Sequence, residues 1–297
     1  MSKIVSRVLV CSALVAPLAV WPVGSANATK AHVVRITMTR KWRISAPDPR
    51  GIAYDKRTHR LLISDSEIDE TNRWKGKNLF IESRRGRLRR AGTLAKATVE
   101  PEDIAWNDRK RQLFVVDDDQ DRVFRFSRGR DGKIGTRDDV VTTVLRTRRF
   151  GAADPEGLGI CPPRGMLIVT DSTRNRVYKV RRGRDHRFGT RDDRVSSFST
   201  RRLGFRFPTD VTWDKTSGHL FMVSPVKNTI LETTMKGRLV RKISLLGTTI
   251  KSASGLTFAP GTDGRRHHLY IVDAGIDDSV NPGQNDGRVF ELAFRRA

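Results

Sequence analysis

The sequence predicts an all-β fold, a β-propeller of five four-stranded blades, and three observations support this. A motif of a turn followed by an apolar run recurs five times, each copy continues into further strand-like runs, and no stretch has a helical pattern of useful length. Radial repetition of four-stranded sheets is the architecture that such a repeat builds. A six-bladed ring with one decayed blade is the alternative that the same repeats leave open.

The first strand of each blade follows a short turn. The five copies read DPRGIAY from Asp48, EPEDIAW from Glu100, DPEGLGI from Asp154, FPTDVTW from Phe207 and SASGLTF from Ser252. The fourth residue of each copy is Gly51, Asp103, Gly157, Asp210 or Gly255, at successive spacings of 52, 54, 53 and 45 residues. This near-constant period indicates one supersecondary unit per blade.

The remaining strands of each copy differ in pattern. The second strands are continuous apolar runs, LLISD, LFVVD, MLIVTD, LFMVS and LYIVD, which is typical of strands covered on both faces. The third and fourth strands alternate, as in RVFRF and RVYKV and then VVTTVLRT and RVSSFST. Alternation of this kind is typical of β-strands, which gives four short strands per copy.

The two ends of the propeller are predicted to meet in one blade. The fifth copy stops at its third strand, RVFELAF, whereas HVVRITMTR, before the first copy, has the pattern of a fourth strand without a blade. We therefore expect the N-terminal strand to complete the last blade. This closure would leave the ring without an open sheet edge.

The first 28 residues have the composition of a secretory signal peptide. Lys3 and Arg7 precede an apolar run from Val8 to Trp21, and SANA ends at Ala28. The run is shorter than the roughly 20 residues of a spanning helix. We predict cleavage after Ala28, a single propeller domain over 29–297, a secreted, periplasmic or cell-envelope location, and no membrane span.

Charge and cysteine content limit the partners and the chemistry. The chain has 57 Lys and Arg against 33 Asp and Glu, a formal net charge of +24. Such an excess favours anionic surroundings, among them a cell-wall polymer, although a compositional bias of the source genome explains it equally well. Cys11 leaves with the signal peptide, so Cys161 is expected to be a buried apolar residue without a disulfide partner.

The acidic residues concentrate on one predicted face. In a propeller, the loop leading into the first strand and the loop between the second and third strands open on the same face, around the central channel. Of the 33 acidic residues, 20 fall in these two loop classes. Crowded carboxylates repel unless a cation or arginine compensates them, and Ca²⁺ prefers six to eight oxygen ligands. We therefore predict a divalent-cation site, most simply Ca²⁺, at this mouth.

The candidate ligands are Glu102, Glu156 and Asp210, with Asp48, Asp103, Asp117 and Asp171 around them. Turn formation is the alternative, because an Asp side chain caps nearby backbone amides. That alternative accounts well for Asp117 and Asp171. It accounts less well for Glu102 and Glu156, because Glu is a poor turn residue.

Large side chains recur at one position of the first strand, in a set that comprises Tyr54, Trp106, Ile160, Trp213 and Phe258. A packing layer between blades is the favoured interpretation, and an aromatic ligand cage is the alternative.

The chain resembles the SdiA-regulated family, a group of secreted or periplasmic bacterial propellers related to NHL-repeat proteins. The segments PEGL, PEDI, VVDDDQDRVFRF and LFMVSPVKNTILETTMKGRLVRKISL carry this likeness. The resemblance implies a Ca²⁺-type site lined by acids where the blades begin. Glu102 and Glu156 match the recurring Glu of the family, whereas Arg50, Thr209 and Ser254 depart from it.

A weaker resemblance is to gluconolactonase-type propellers. Those proteins hold a single metal with acid and Asn ligands. No Asn occurs in the corresponding leading loops here, which argues against lactone hydrolysis.

Three functional hypotheses follow. The first is an exported, monomeric binding or scaffold protein that holds Ca²⁺ and a small-molecule, glycan or peptide ligand at the acidic mouth. The second is a metal-dependent hydrolase of an ester, lactone or phosphoester at the same mouth, with Asp118 or Asp171 as the base. The third is a polyanion binder whose cation site is irrelevant to its function. GxSxG, HExxH and phosphate-loop motifs do not occur, no catalytic residue is assigned, and no stacking groove for sequence-specific nucleic acid is evident.

Overall fold

The computed structural model describes residues 29–66, 76–264, 267–276 and 284–295. Within these ranges the chain forms five antiparallel blades and no α-helix, and no helix there is long and apolar enough to cross a membrane. The predicted signal peptide, residues 1–28, lies outside the described residues.

The strands follow the predicted repeats in order. The chain begins with β1 (Thr29–Lys30) and β2 (His32–Met38). Blade 1 comprises β3 (Pro49–Asp55), β4 (Arg60–Asp65), β5 (Leu79–Ser83) and β6 (Leu88–Gly92). Blade 2 comprises β7 (Asp103–Asn107), β8 (Gln112–Asp117), β9 (Arg122–Ser127) and β10 (Val140–Arg146). Blade 3 comprises β11 (Pro155–Cys161), β12 (Met166–Asp171), β13 (Arg176–Arg181) and β14 (Arg194–Ser199).

The last two blades complete the ring. Blade 4 comprises β15 (Asp210–Trp213), β16 (Leu220–Val223), β17 (Thr229–Thr233) and β18 (Leu239–Ser244). Blade 5 comprises β19 (Ala253–Ala259), β20 (His268–Asp273), β21 (Arg288–Ala293) and the N-terminal strand β2. Short 3-10 helices lie between strands at Thr39–Lys41, Thr147–Phe150, Pro162–Arg164 and Arg201–Leu203. The five-bladed propeller is thus confirmed over the described residues.

The N-terminal strand closes the ring as predicted. β2 pairs antiparallel with β21 from His32 opposite Ala293 to Met38 opposite Arg288. The structure also contains a short strand that the sequence pattern does not predict. This strand, β1, pairs in parallel with β18 on the outer edge of blade 4. The first residues of the described chain therefore fasten blades 4 and 5 together.

The first strands approach each other closely at the centre, which explains the recurring glycines. A Cβ at Gly51 would lie 2.4 Å from Asp103 Oδ1, and one at Gly157 would lie 2.5 Å from Asp210 Cα. No side chain fits at these two positions, so Gly is required where neighbouring first strands meet.

The core is divided into clusters between neighbouring blades. Each cluster contains or contacts one member of the recurring large set, which is Tyr54, Trp106, Ile160, Trp213 or Phe258. This confirms the predicted packing role. Cys161 is a free thiol with 0 % exposure, as expected of an apolar core residue.

Candidate functional site

In each blade one residue comes just before the central Gly or Asp, and these five residues differ in charge around the acidic mouth. They are Arg50, Glu102, Glu156, Thr209 and Ser254. The hydroxyl of Thr209 donates to the Ala253 carbonyl at 3.1 Å, and that of Ser254 donates to the Pro49 carbonyl at 2.8 Å. At this position blades 4 and 5 are therefore uncharged, and the two carboxylates of the set lie on blades 2 and 3.

Arg50 compensates part of this negative charge. Its Nε lies 2.8 Å from Asp48 Oδ2 and 3.9 Å from Glu102 Oε2, and it donates to Ser66 Oγ at 3.1 Å. Arg50 is the one cation among these five residues, and it lies beside the acidic side chains of Asp48 and Glu102.

Glu102 and Glu156 form a carboxyl pair in this mouth, close enough to share a hydrogen bond. Burial, followed by the neighbouring carboxylates, raises the pKa of Glu102 well above its usual range, against the opposing charge of Arg50. Burial likewise raises the pKa of Glu156 to about 7. A pair with these properties holds a proton at neutral pH unless a cation replaces it.

Three carboxylates converge beside this pair, between blades 2 and 3. Asp118, Asp154 and Glu156 each present an oxygen, and the three oxygens lie within 4.8 Å of one another. Asp118 follows β8, whereas Asp154 and Glu156 flank the start of β11, so the loops of two neighbouring blades build the cluster. All three side chains are half-buried. We refer to these three residues as the acidic triad.

Hydrogen bonds hold the loops of the acidic triad in place. Asp154 Oδ2 accepts from the Thr173 amide at 3.0 Å and from the Ser172 hydroxyl, and Asp118 Oδ1 accepts from the Asp119 amide at 2.9 Å. Burial raises the pKa of Asp118, and the charges of Asp119 and Asp154 raise it further. The acidic triad is thus a positioned group of carboxylates that are costly to ionise together.

Asp103 and Asp210 lie deeper in the channel, as a second carboxyl pair. Their side chains are 1 % and 2 % exposed. Asp103 Oδ2 accepts from the Leu158 amide at 2.6 Å, and Asp210 Oδ2 accepts from the Leu256 amide at 2.5 Å. Each carboxyl therefore ties its blade to the next one around the ring.

The other predicted ligands hold loops. Asp48 Oδ2 accepts from the Ser66 hydroxyl at 2.7 Å and pairs with Arg50. Asp117 accepts from the Gln120 amide at 2.7 Å, and Asp171 accepts from the Arg174 amide at 2.7 Å and the Ala153 amide at 3.0 Å. Asp117 and Asp171 make the turn-capping bonds that the alternative interpretation describes. Five acids assigned to this face lie outside the described residues, namely Glu67, Asp69, Glu70, Asp277 and Asp278.

The structure thus brings Glu102 and Glu156 together and adds two residues that were absent from the candidate ligands, Asp118 and Asp154. Sequence reasoning places both on the acidic face, and it assigns Asp118 only as a possible base. The DDD run at 117–119 and the DPE run at 154–156 are the signals that mark them. Which carboxylate of each run faces the neighbouring blade depends on loop geometry.

Comparison with known proteins shows the fold. No protein-family model matches the chain, and no curated protein matches it. A luciferin-regenerating enzyme is similar over 89 % of this chain and 95 % of its own, at 13 % identity and a TM-score of 0.53. The PQQ-bound aldose sugar dehydrogenase of Streptomyces coelicolor is similar over 90 % of this chain and 98 % of its own, at 12 % identity and a TM-score of 0.53.

A third solved structure, the calcium-binding protein regucalcin of Agrobacterium tumefaciens, is similar over 84 % of this chain and 90 % of its own, at 14 % identity and a TM-score of 0.51. Identities this low carry the fold and no activity. The resemblance to the SdiA-regulated family stays a prediction, whereas membership of the β-propeller proteins follows from the blades themselves and from these neighbours.

Proposed function

We propose that the protein is an exported binding or scaffold propeller that holds a divalent cation, Ca²⁺, at the acidic triad of Asp118, Asp154 and Glu156. One observation carries this proposal, the convergence of three carboxylate oxygens within 4.8 Å at the junction of two blades. Oxygens that bind one Ca²⁺ at about 2.4 Å are at most about 4.8 Å apart, so this spacing suits ligands of a single ion.

Electrostatics and ligand chemistry support a cation. Burial raises the pKa values of Asp118 and Glu156, and the nearby charge of Arg50 offsets only part of this effect at Glu156. A hard cation with oxygen ligands supplies further compensation and leaves coordination positions for water or a bound ligand. The fold neighbour regucalcin is named as a calcium-binding protein, which is consistent with a calcium site on a propeller. A small molecule, glycan or peptide would complete the coordination from the open mouth.

Calcium titration by calorimetry tests this proposal. The purified chain from residue 29 onward should bind one Ca²⁺, and its melting temperature should rise on binding. Asp118→Asn and Glu156→Gln should each weaken calcium binding by at least about tenfold, because each removes a charged ligand. Asp119→Asn is the matched control, because Asp119 is the exposed neighbour of Asp118 and stands outside the triad.

The outcomes separate the two interpretations of the acids. Equal affinity in all three variants, or no calcium effect on the wild-type melting temperature, would reduce the triad to loop-forming residues. Binding lost only in the triad variants would support the cation site.

A metal-dependent hydrolase at the same mouth is the second candidate, and the position of Glu102 favours it. Glu102 contacts Glu156 but is not itself a member of the acidic triad. Burial raises the pKa of Glu102. A carboxylate beside a bound cation can act as general base toward a metal-activated water. Chelator-sensitive cleavage of an ester, lactone or phosphoester that Glu102→Gln abolishes, with calcium affinity retained, would establish this activity.

We also propose that the basic flank of blade 1 contacts an anionic envelope polymer. Two adjoining depressions there share Arg85 and Arg89, and Arg60, Arg84, Arg87 and Arg90 line one or the other. Partial desolvation lowers the pKa of the exposed Arg89, and the neighbouring cations Arg60 and Arg87 lower it further, as expected of crowded like charges. Binding to teichoic acid that falls steeply with salt, and falls further in an Arg85→Glu and Arg89→Glu double variant, would support this contact.

A further inference from the structure

The channel has a second mouth, on the face opposite the acidic triad, and it opens into a cavity of about 420 Å³. The first strands of all five blades line this cavity. The recurring large residues form one level of its wall, and we call them the wall ring: Tyr54, Trp106, Ile160, Trp213 and Phe258. The wall ring therefore has a second role beyond packing between blades, because its members also face a cavity of ligand size.

The inner end of the cavity is apolar. Two residues before each member of the wall ring, the same strands contribute aliphatic side chains to the lining, among them Leu158 and Leu256. The amides of these two leucines donate to Asp103 and Asp210, the buried carboxyl pair that lies between the cavity and the acidic mouth. The cavity is thus separate from the acidic triad.

The rim of the cavity carries positive charge. Lys56, Arg109 and Lys215 line it from three different blades, and all three are exposed. Asp108 lies on the same rim, where its carboxylate accepts from the Lys56 amide at 3.0 Å. Asp214 is 3 % exposed and caps the turn at Thr216 and Ser217. The described rim therefore presents more accessible cations than carboxylates.

These features together specify the chemistry of an occupant. Aromatic and aliphatic walls bind an apolar ring body, and aromatic side chains stack on flat rings. The hydroxyl of Tyr54 forms a 2.9 Å hydrogen bond with His59, so the aromatic ring is the part of Tyr54 that is left to contact a ligand. An aromatic cage for a cation would require a rim free of positive charge, because like charges repel. Three exposed cations at the opening favour an anionic group there instead.

We propose that this cavity binds a small amphipathic anion, with an aromatic or fused-ring body seated in the wall ring and a carboxylate, sulfonate or phosphate at the rim. The ligand enters from the face opposite the acidic mouth, so its binding requires no cation at the acidic triad.

Fluorescence titration with anilinonaphthalene sulfonate tests this inference, because that probe joins an aromatic body to an anion. We expect one saturable site per chain. Trp213→Ala removes part of the wall and Lys215→Glu reverses a rim charge, and each should weaken binding by at least about tenfold. Lys133→Glu is the matched control, since Lys133 is an exposed residue of the β9–β10 hairpin outside the cavity lining, and it should change the affinity by less than about twofold.

The controls separate this site from general dye binding and from the cation site. Lys215→Glu alters an exposed side chain, so it tests the site even if Trp213→Ala fails to fold. Chelator and Asp118→Asn should leave probe binding unchanged. Benzyltrimethylammonium, an aromatic cation, should not displace the probe. Equal binding by wild type and Lys215→Glu, several weak sites per chain, or displacement by the ammonium would overturn the proposal.

Discussion

Asp103 of blade 2 and Asp210 of blade 4 meet inside the channel, where both carboxyl groups are buried and close enough to share a hydrogen bond. Burial, and then the charge of Asp210, raises the pKa of Asp103 well above its usual range, while burial raises the pKa of Asp210 to about 6. One proton shared between them lets both keep their bonds to the amides of the next blade. The pair joins four blades through side chains that the repeat places at equivalent positions.

Replacing Asp103 should therefore destabilise the ring according to the hydrogen bonds that are lost. Asp103→Leu leaves the buried amides of Ile104 and Leu158 without acceptors, at a cost of about 1–3 kcal/mol each. Asp103→Asn keeps one acceptor oxygen and places an amide donor at the other position, so only one of the two amides loses its acceptor and the cost should be smaller than for Asp103→Leu. Urea unfolding at neutral pH measures both variants. Equal losses for Asn and Leu would show that charge, rather than hydrogen bonding, is what the site requires.

The buried carboxyls predict a falling stability with rising pH in the absence of a cation. The folded-state pKa of Glu156 is about 7, above its ordinary value of 4.5, so the folded chain binds more protons than the unfolded chain between those values. The free energy of unfolding should then decrease as pH rises from 4.5 to about 7, by about 2 kcal/mol for this group.

Urea unfolding with chelator at several pH values across this interval measures the slope. Glu156→Gln should flatten the slope, because the amide does not titrate. Added Ca²⁺ should restore stability at the upper end, since a cation favours the ionised carboxylates. A free energy of unfolding that rises over the same interval would contradict the assigned direction of these pKa shifts.

A buried glutamate in blade 1 predicts a stabilising substitution. Glu82 is 1 % exposed, its Oε2 has no hydrogen-bond partner among the described residues, and burial raises its pKa to about 8. Glu82→Gln removes the cost of keeping this group protonated at neutral pH. It should increase the free energy of unfolding at pH 7 by about 3 kcal/mol.

Glu232, at the equivalent place in blade 4, is the matched control. It pairs with Arg241 and with His219, whose Nδ1 lies 2.7 Å from Oε1. Glu232→Gln should therefore destabilise, because it leaves Arg241 without its buried counter-charge. Thermal melts of the two variants should shift in opposite directions, and shifts of the same sign would contradict this account.

Because the N-terminal strand β2 closes the ring, the melting temperature should depend strongly on where the chain begins. A chain that starts at Thr39 lacks β2 and exposes the edge of β21, whereas a chain that starts at Ala31 lacks only β1. The first truncation should lower the melting temperature by at least about 10 °C or cause aggregation, because an open apolar edge recruits other strands. The second truncation should have a small effect. Similar melting temperatures for the two chains would show that ring closure adds little stability.

The sequence by itself was sufficient for the architecture because propeller repeats are local. The leading turns, the apolar second strands and the orphan N-terminal strand each obey a short-range rule, and the ring follows from stacking like units. Packing of the recurring large residues and burial of Cys161 could be predicted for the same reason.

The site depended on tertiary structure. The sequence does not distinguish Asp103, Asp117, Asp118 and Asp154, because all four are acidic residues of loops on the same predicted face. Distances between blades decide that Asp103 turns inward to meet Asp210, that Asp117 caps its own turn, and that Asp118 and Asp154 converge on Glu156. The cavity at the other mouth likewise exists only after five strands are brought around one axis. Local pattern therefore determined the blades, whereas the closed ring decided which carboxylates and which aromatic faces meet.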